Sequence, residues 1–122
     1  MKVCCYFNSD MMTFGEEMEY FMEHDKAPPF PYLFLDVNIS EDAPIQELIS
    51  YIHEHFQKPT FVEIVYHGGE VKKMACSYLI HSCKDQTSEE IEDTSIAIKE
   101  FPKLGPNDEL CIQMNDQRNA VN

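Results

Sequence analysis

Tyr32-Leu33-Phe34-Leu35-Asp36-Val37-Asn38-Ile39, then Ser40-Glu41-Asp42-Ala43, then Pro44-Ile45-Gln46-Glu47-Leu48-Ile49-Ser50-Tyr51-Ile52-His53-Glu54-His55-Phe56, is the stretch that decides the fold class. In its first part Leu33, Leu35, Val37 and Ile39 fall on alternate positions, with Asp36 and Asn38 between them. A period of two places the four aliphatics on one face of a strand. In its second part Ile45, Leu48, Ile49, Ile52 and Phe56 recur at helical spacing and form one continuous stripe. The two acids and the proline ahead of the stripe suit a first helical turn, and Lys58-Pro59 ends it. A strand that buries one face, followed at once by a helix that buries one stripe, requires a layer of sheet against a layer of helix.

Working outward from that unit, Val3 to Phe7 reads as a short buried strand. Thr13-Phe14-Gly15-Glu16 has capping-box spacing, with a hydroxyl at the helix start and a glutamate three residues on. Phe14, Met18, Phe21 and Met22 then give a second amphipathic helix, which Pro28, Pro29 and Pro31 terminate. Downstream, Phe61 to Tyr66 and Val71 to Ile80 flank His67-Gly68-Gly69-Glu70 and read as a hairpin. Ile96 to Phe101 and Leu110 to Met114 read as two more strands, with Pro102, Gly105, Pro106, Asn107 and Asp108 between them. The expected order is β-α-β-α-β-β-β-β: an α+β single domain over residues 1–122, with a mixed, mostly antiparallel sheet of about six strands and both helices on one face. The residues from about 115 onward form a polar tail. A chain of 122 residues is enough for one domain with a real core.

Charge is the strongest functional signal. Twenty-two Asp and Glu stand against nine Lys and Arg, a formal net charge of −13, while hydrophobic residues at 43 % are normal for a folded body. Such a surface repels nucleic acid and anionic membranes and attracts basic proteins. The single arginine, Arg118, and the scattered lysines offer no basic patch for phosphates. Two runs carry acids without a Lys or Arg: Asp10 to Asp25 (Asp10, Glu16, Glu17, Glu19, Glu23, Asp25) and Asp85 to Asp93 (Asp85, Glu89, Glu90, Glu92, Asp93). The second lies in the connection from His81 to Thr94, longer than a hairpin needs. From these runs we take Glu16, Glu19, Glu23, Asp85, Glu89, Glu90, Glu92 and Asp93 as candidate partner-binding residues, with Tyr66 as an aromatic anchor beside Tyr32 and Tyr78.

Candidate chemistry is sparse. Residues 86–93 lack the central glycine and the alternating oxygen ligands of a calcium loop. His81 and Cys83 make one potential zinc pair without a second. His53 and His55 lie on different sides of their helix. Cys83 could be a nucleophile next to His81 or His67, but neighbouring carboxylates disfavour a thiolate. His67-Gly68-Gly69 leads into a strand, not a helix, which argues for a turn over a phosphate loop. Asp36, Asn38, Glu63 and Tyr66 would share an open sheet face if their strands are neighbours. No catalytic residue, cofactor or metal is therefore expected. Five cysteines without paired spacing, and no long apolar run, point to a reducing, cytoplasmic setting.

In its size and in its acidic runs at 10–25 and 85–93, the chain resembles bacterial immunity proteins and acidic antitoxins as a class. That resemblance implies a non-catalytic inhibitor whose carboxylates occupy the phosphate positions of a cationic nuclease toxin. A ubiquitin-like or other adaptor domain is the alternative, and a small thiol- or carboxylate-dependent enzyme the second.

Overall fold

A computed structural model of the chain describes residues 1–117 and 120–121. Strand β1 (Lys2–Phe7) is an interior strand of a five-stranded sheet with β2 (Leu33–Asp36), β5 (Ser77–Ser82), β6 (Thr87–Glu90) and β7 (Leu110–Asn115). The strand order is β2-β1-β7-β5-β6. A second sheet pairs β3 (Phe61–Tyr66) with β4 (Val71–Ala75) on one side and β8 (Ala120–Val121) on the other. Two helices, α1 (Phe14–His24) and α2 (Ile45–His55), complete the fold. Among the described residues β1–β7 and β3–β8 pair in parallel and four other pairs are antiparallel. The fold class is α+β and mostly antiparallel, as the sequence predicts.

The alternation in β2 determines its register. Cys5 faces Leu33 and Val3 faces Leu35, so the aliphatic face of β2 continues the inner face of β1. Val3, Cys5 and Phe7 meet the α2 stripe of Ile45, Leu48, Ile49 and Ile52, joined by Leu110, Ile112 and Met114, in one core. The first amides of α2 have no side-chain cap, because Pro44 holds the cap position. Backbone carbonyls do that work instead: Ile45 N–H donates to Ile96 O at 2.8 Å and Gln46 N–H to Thr94 O at 3.0 Å. This is why Ile96 to Phe101 is not the strand its sequence suggests. It crosses the start of α2, makes one bridge (Ala97 to Pro44), and closes into a 3-10 turn over Ile98–Glu100.

The predicted strand from Val71 to Ile80 is divided. At Cys76 the chain leaves the second sheet, and β5 enters the first. The predicted hairpin across Gly68-Gly69 is present, with φ of +94° and +85° at the two glycines, a backbone region closed to most other residues. The connection from His81 to Thr94 contains β6, which forms an unexpected second hairpin with β5. The expected polar tail is partly structured, since β7 runs through Asn115 and residues 120–121 pair with β3; Arg118, Asn119 and Asn122 lie outside the described residues.

The helices do not share one face. Only α2 is packed. The capping box of α1 forms as expected, with Glu16 N–H donating to Thr13 Oγ1 at 3.2 Å and Thr13 N–H to Glu16 Oε1 at 3.3 Å. Yet α1 has no buried residue, and its apolar stripe faces outward: Phe14 is 78 % exposed, Met18 47 %, Phe21 51 % and Met22 79 %. The reason lies just after it. Phe30 and Tyr32, delivered by the proline segment, pack on Tyr6, the outward residue of β1, with ring centroids 4.8 and 6.1 Å away. They cover the sheet face that α1 would otherwise need.

This division predicts opposite responses to truncation. Ile49→Ala, at a fully buried site, should cost about 2–5 kcal/mol in urea unfolding, whereas Phe14→Ser should shift the midpoint hardly at all. Equal losses at both positions would show that α1 packs on the body in solution.

Candidate functional site

Two surfaces hold the predicted residues. On β6, adjacent positions project to opposite faces, so Glu89 and Glu90 straddle the strand. β6 ends the sheet, leaving one edge of its backbone unpaired with any described strand. The pairing register sets Glu89 opposite Ile80 and Glu90 opposite Leu79. The chain then turns inward at Ile91, which is buried and donates its N–H to Tyr78 O at 2.8 Å, and comes out again at Glu92 and Asp93. These residues rim an open groove of about 390 Å³ whose apolar wall is Ile91, Ile96 and Phe101. A second groove of about 310 Å³ shares Glu89, Glu90 and Phe101 and adds Pro102 and Leu104. Ile96 and Leu104 are exposed.

The carboxylates differ in what holds them. Asp93 is structural: its Oδ1 accepts from Ser95 Oγ at 2.6 Å and Ser95 N–H at 2.9 Å, which lowers its pKa. Ion pairs among the described residues engage Asp10, Asp36, Glu41, Glu70 and Asp42. None of them reaches Asp85, Glu89, Glu90 or Glu92. Asp85 sits in the β5–β6 turn, outside the groove rim. Glu16, Glu19 and Glu23 lie on α1, away from both sheets, so the two acidic runs occupy separate elements. Tyr66 ends β3 in the second sheet, with Lys72 Nζ 5.3 Å above its ring. Tyr32 and Tyr78 hold histidines: Tyr32 OH lies 3.0 Å from His81 Nε2, and Tyr78 OH 2.7 Å from His53 Nε2. Asp36 and Glu63 do not share a sheet, since β2 and β3 belong to different ones.

Sequence reasoning missed a polar network on the outer face of the main sheet. His81, fully buried, places Nδ1 3.4 Å from Tyr6 OH and 3.2 Å from Ser88 Oγ. Ser88 Oγ in turn donates to Gln113 Oε1. Gln113 Nε2 donates to Asn8 Oδ1, Asn8 Nδ2 to Asn115 Oδ1, and Asn115 Nδ2 to Ser77 Oγ, at 2.9, 3.0 and 3.1 Å. Phe30 stacks on His81 at 5.6 Å. Alternate positions in β7, Gln113 and Asn115, were the available signal, being polar within a strand otherwise apolar. Burial lowers the pKa of His81 and of His53, and pushes the Tyr6 and Tyr78 hydroxyls up to about 12.

Cys4 and Cys5 are poorly suited to thiol chemistry, while Cys83 is half-buried, with its N–H donating to Leu104 O at 2.9 Å. Burial raises the Cys5 pKa to about 12, and Cys4 is raised by its hydrogen bond with Cys111, sulfur to sulfur at 3.0 Å, and by burial. Among the described residues no three His, Cys, Asp or Glu side chains converge as metal ligands would, and no helix is long and apolar enough to cross a membrane. Comparison with protein-family models, curated proteins and solved structures finds no match to this chain.

His81 and His53 give a signed pH dependence. A histidine whose folded pKa lies below its unfolded value of 6.5 stabilises the fold fully above pH 6.5 and loses that contribution as pH falls through the folded value. Lowering the pH from 7.5 to 5 should therefore lower Tm, and His81→Gln should flatten the decline. An NMR titration placing His81 at or above 6.5 would contradict this.

Proposed function

We propose that the protein is a non-catalytic acidic binding protein that neutralises a basic protein partner, in the manner of an immunity protein or antitoxin covering a cationic nuclease. One observation carries this reading: among the described residues Glu89, Glu90 and Glu92 have no ion-pair partner, and they stand beside an apolar wall, at the end of an edge strand whose outer backbone groups pair with no described strand. Each part has a task in binding. Unpaired carboxylates attract Lys and Arg over roughly a Debye length of 8–10 Å and so accelerate encounter. Ile91, Ile96 and Phe101 offer the dry contact that slows dissociation. The free edge of β6 can add main-chain hydrogen bonds to an extended segment of the partner. Against a nuclease, the same carboxylates would stand where substrate phosphates bind.

His81 and the buried thiols are committed elsewhere. His81 is enclosed by Tyr6, Phe30, Tyr32 and Ser88, and the buried thiols are held protonated. A cytoplasmic location belongs to the same reading, on the five cysteines without paired spacing.

The test begins with the immobilised chain and lysate of its own cells, from which salt should release a basic protein. That protein's cleavage of nucleic acid should stop at one equivalent of the chain. Glu89→Lys with Glu92→Lys should slow association about tenfold or more at low salt and flatten its salt dependence. Inhibition unchanged by the double reversal, or a captured partner that is not basic, would refute the proposal.

A further inference from the structure

The groove at β6 leaves unexplained another exposed apolar feature of the molecule, the stripe on α1. An isolated helix of 11 residues is marginal in water. Here it is nevertheless built with care. The capping box closes its first turn, and Glu16 and Glu17 complement its positive end. At its last turn Tyr20 and His24 stack at 4.0 Å, with His24 Nδ1 3.1 Å from Tyr20 O.

The chain is fastened on both sides of the helix. Before it, Ser9 donates to Asp116 through Oγ at 2.6 Å, and Asp10 pairs with Lys58 at 3.0 Å. After it, Phe30 is wedged against Tyr6 and His81. Between these anchorages Phe14 and Met22 are largely exposed, and Met18 and Phe21 about half exposed.

We infer that α1 is a docking helix that lays Phe14, Met18, Phe21 and Met22 into an apolar groove rimmed by lysine or arginine on the partner protein. The inference rests on the reading that the partner is basic. The spacing i, i+4, i+7, i+8 is that of an amphipathic helix seated in a groove. Charge complementarity selects the occupant. Glu17 and Glu19 flank the stripe, Asp25 caps its C-terminal end, Glu16 and Glu23 add charge on the opposite face, and the helix carries no Lys or Arg, so the facing rim is cationic. A second copy would bring the same acidic rim and another −13 charges, and an anionic membrane would repel both.

The partner's groove can be imitated by a fluorescein-labelled amphipathic peptide of leucine and lysine, with polylysine as the purely cationic control. Phe14→Ser with Phe21→Ser should weaken binding of the Leu–Lys peptide about tenfold or more and leave polylysine unaffected. Glu19→Lys with Glu23→Lys should weaken both. Because the two phenylalanines are exposed, unchanged urea unfolding of the serine variant verifies that the fold is intact. Wild-type affinity of the serine variant for the Leu–Lys peptide would overturn the inference. So would a dimer in sedimentation, or adsorption to zwitterionic vesicles, that this variant abolishes.

The nuclease partner separates this inference from the reading it extends. Inhibition weakened by reversal on β6 but untouched by the serine variant would leave the inhibitor and remove the docking helix. Loss of Leu–Lys peptide binding without any inhibitory partner would retain the helix and remove the inhibitor.

Discussion

Burial of β1 on both faces is the constraint from which the rest of the structure follows. Val3, Cys5 and Phe7 point to one side, Cys4 and Tyr6 to the other, and none is more than 5 % exposed. A central strand of this kind needs two covers. One is α2, whose five-residue stripe closes the inner face. The other is not a helix but a short extended strap, Phe30 to Tyr32, set by Pro28, Pro29 and Pro31. With the outer face already taken by aromatic rings and His81, α1 has nowhere to bury its stripe. The exposure of α1 is thus a consequence of what the strap occupies and not of a weak helix signal.

The strap also explains why Tyr6 and His81 can be buried on an outer face whose other polar residues stay partly exposed. Tyr6, His81, Ser88, Gln113, Asn8, Asn115 and Ser77 are joined in sequence by hydrogen bonds across β1, β5, β6 and β7. A polar face under cover is stable only when its groups satisfy one another, since each orphaned donor or acceptor costs about 1–3 kcal/mol. The network therefore ties the register of four strands to one another. It also ties β6, a four-residue edge strand with every residue exposed, to the body of the sheet through Ser88. Ser88 holds the strand on which Glu89 and Glu90 are displayed.

Elements whose identity depends on their own residues were legible: the period-two face of β2, the α2 stripe, the Gly68-Gly69 hairpin, the capping box at Thr13. What escaped depends on partners distant in sequence. Ile96 to Phe101 has strand composition, but its carbonyls are drawn to the uncapped start of α2. The run through Cys76 is uniform enough to read as one strand, yet the chain changes sheets there. Thr87 to Glu90 is too polar to signal a strand and becomes one because β5 has a free side. At the site, the acids themselves were visible in sequence. The apolar wall they rim was not, because Ile96 and Phe101 reach Glu89 only through the fold.

Carboxylates on an edge strand have a second consequence, which bears on why the charge is tolerated. An exposed edge invites pairing with another copy, and inward or flanking charge is a common defence against it. Glu89 and Glu90 serve that defence among like molecules, all of which carry −13. The same defence fails against a cationic chain, for which the edge, its carboxylates and the wall of Ile91, Ile96 and Phe101 become attractive together. The acidic flanks of α1 work by the same asymmetry: they keep an exposed stripe of Phe and Met soluble and discourage its self-association, while leaving it open to a basic surface. Like charges four residues apart, as at Glu19 and Glu23, lower helix stability by a few tenths of a kcal/mol. That loss gains nothing within the fold, whereas both acidic runs border apolar surface that the fold leaves uncovered. On the proposed function, acidity acts less as a general coating than as a filter on which partners can reach two apolar surfaces.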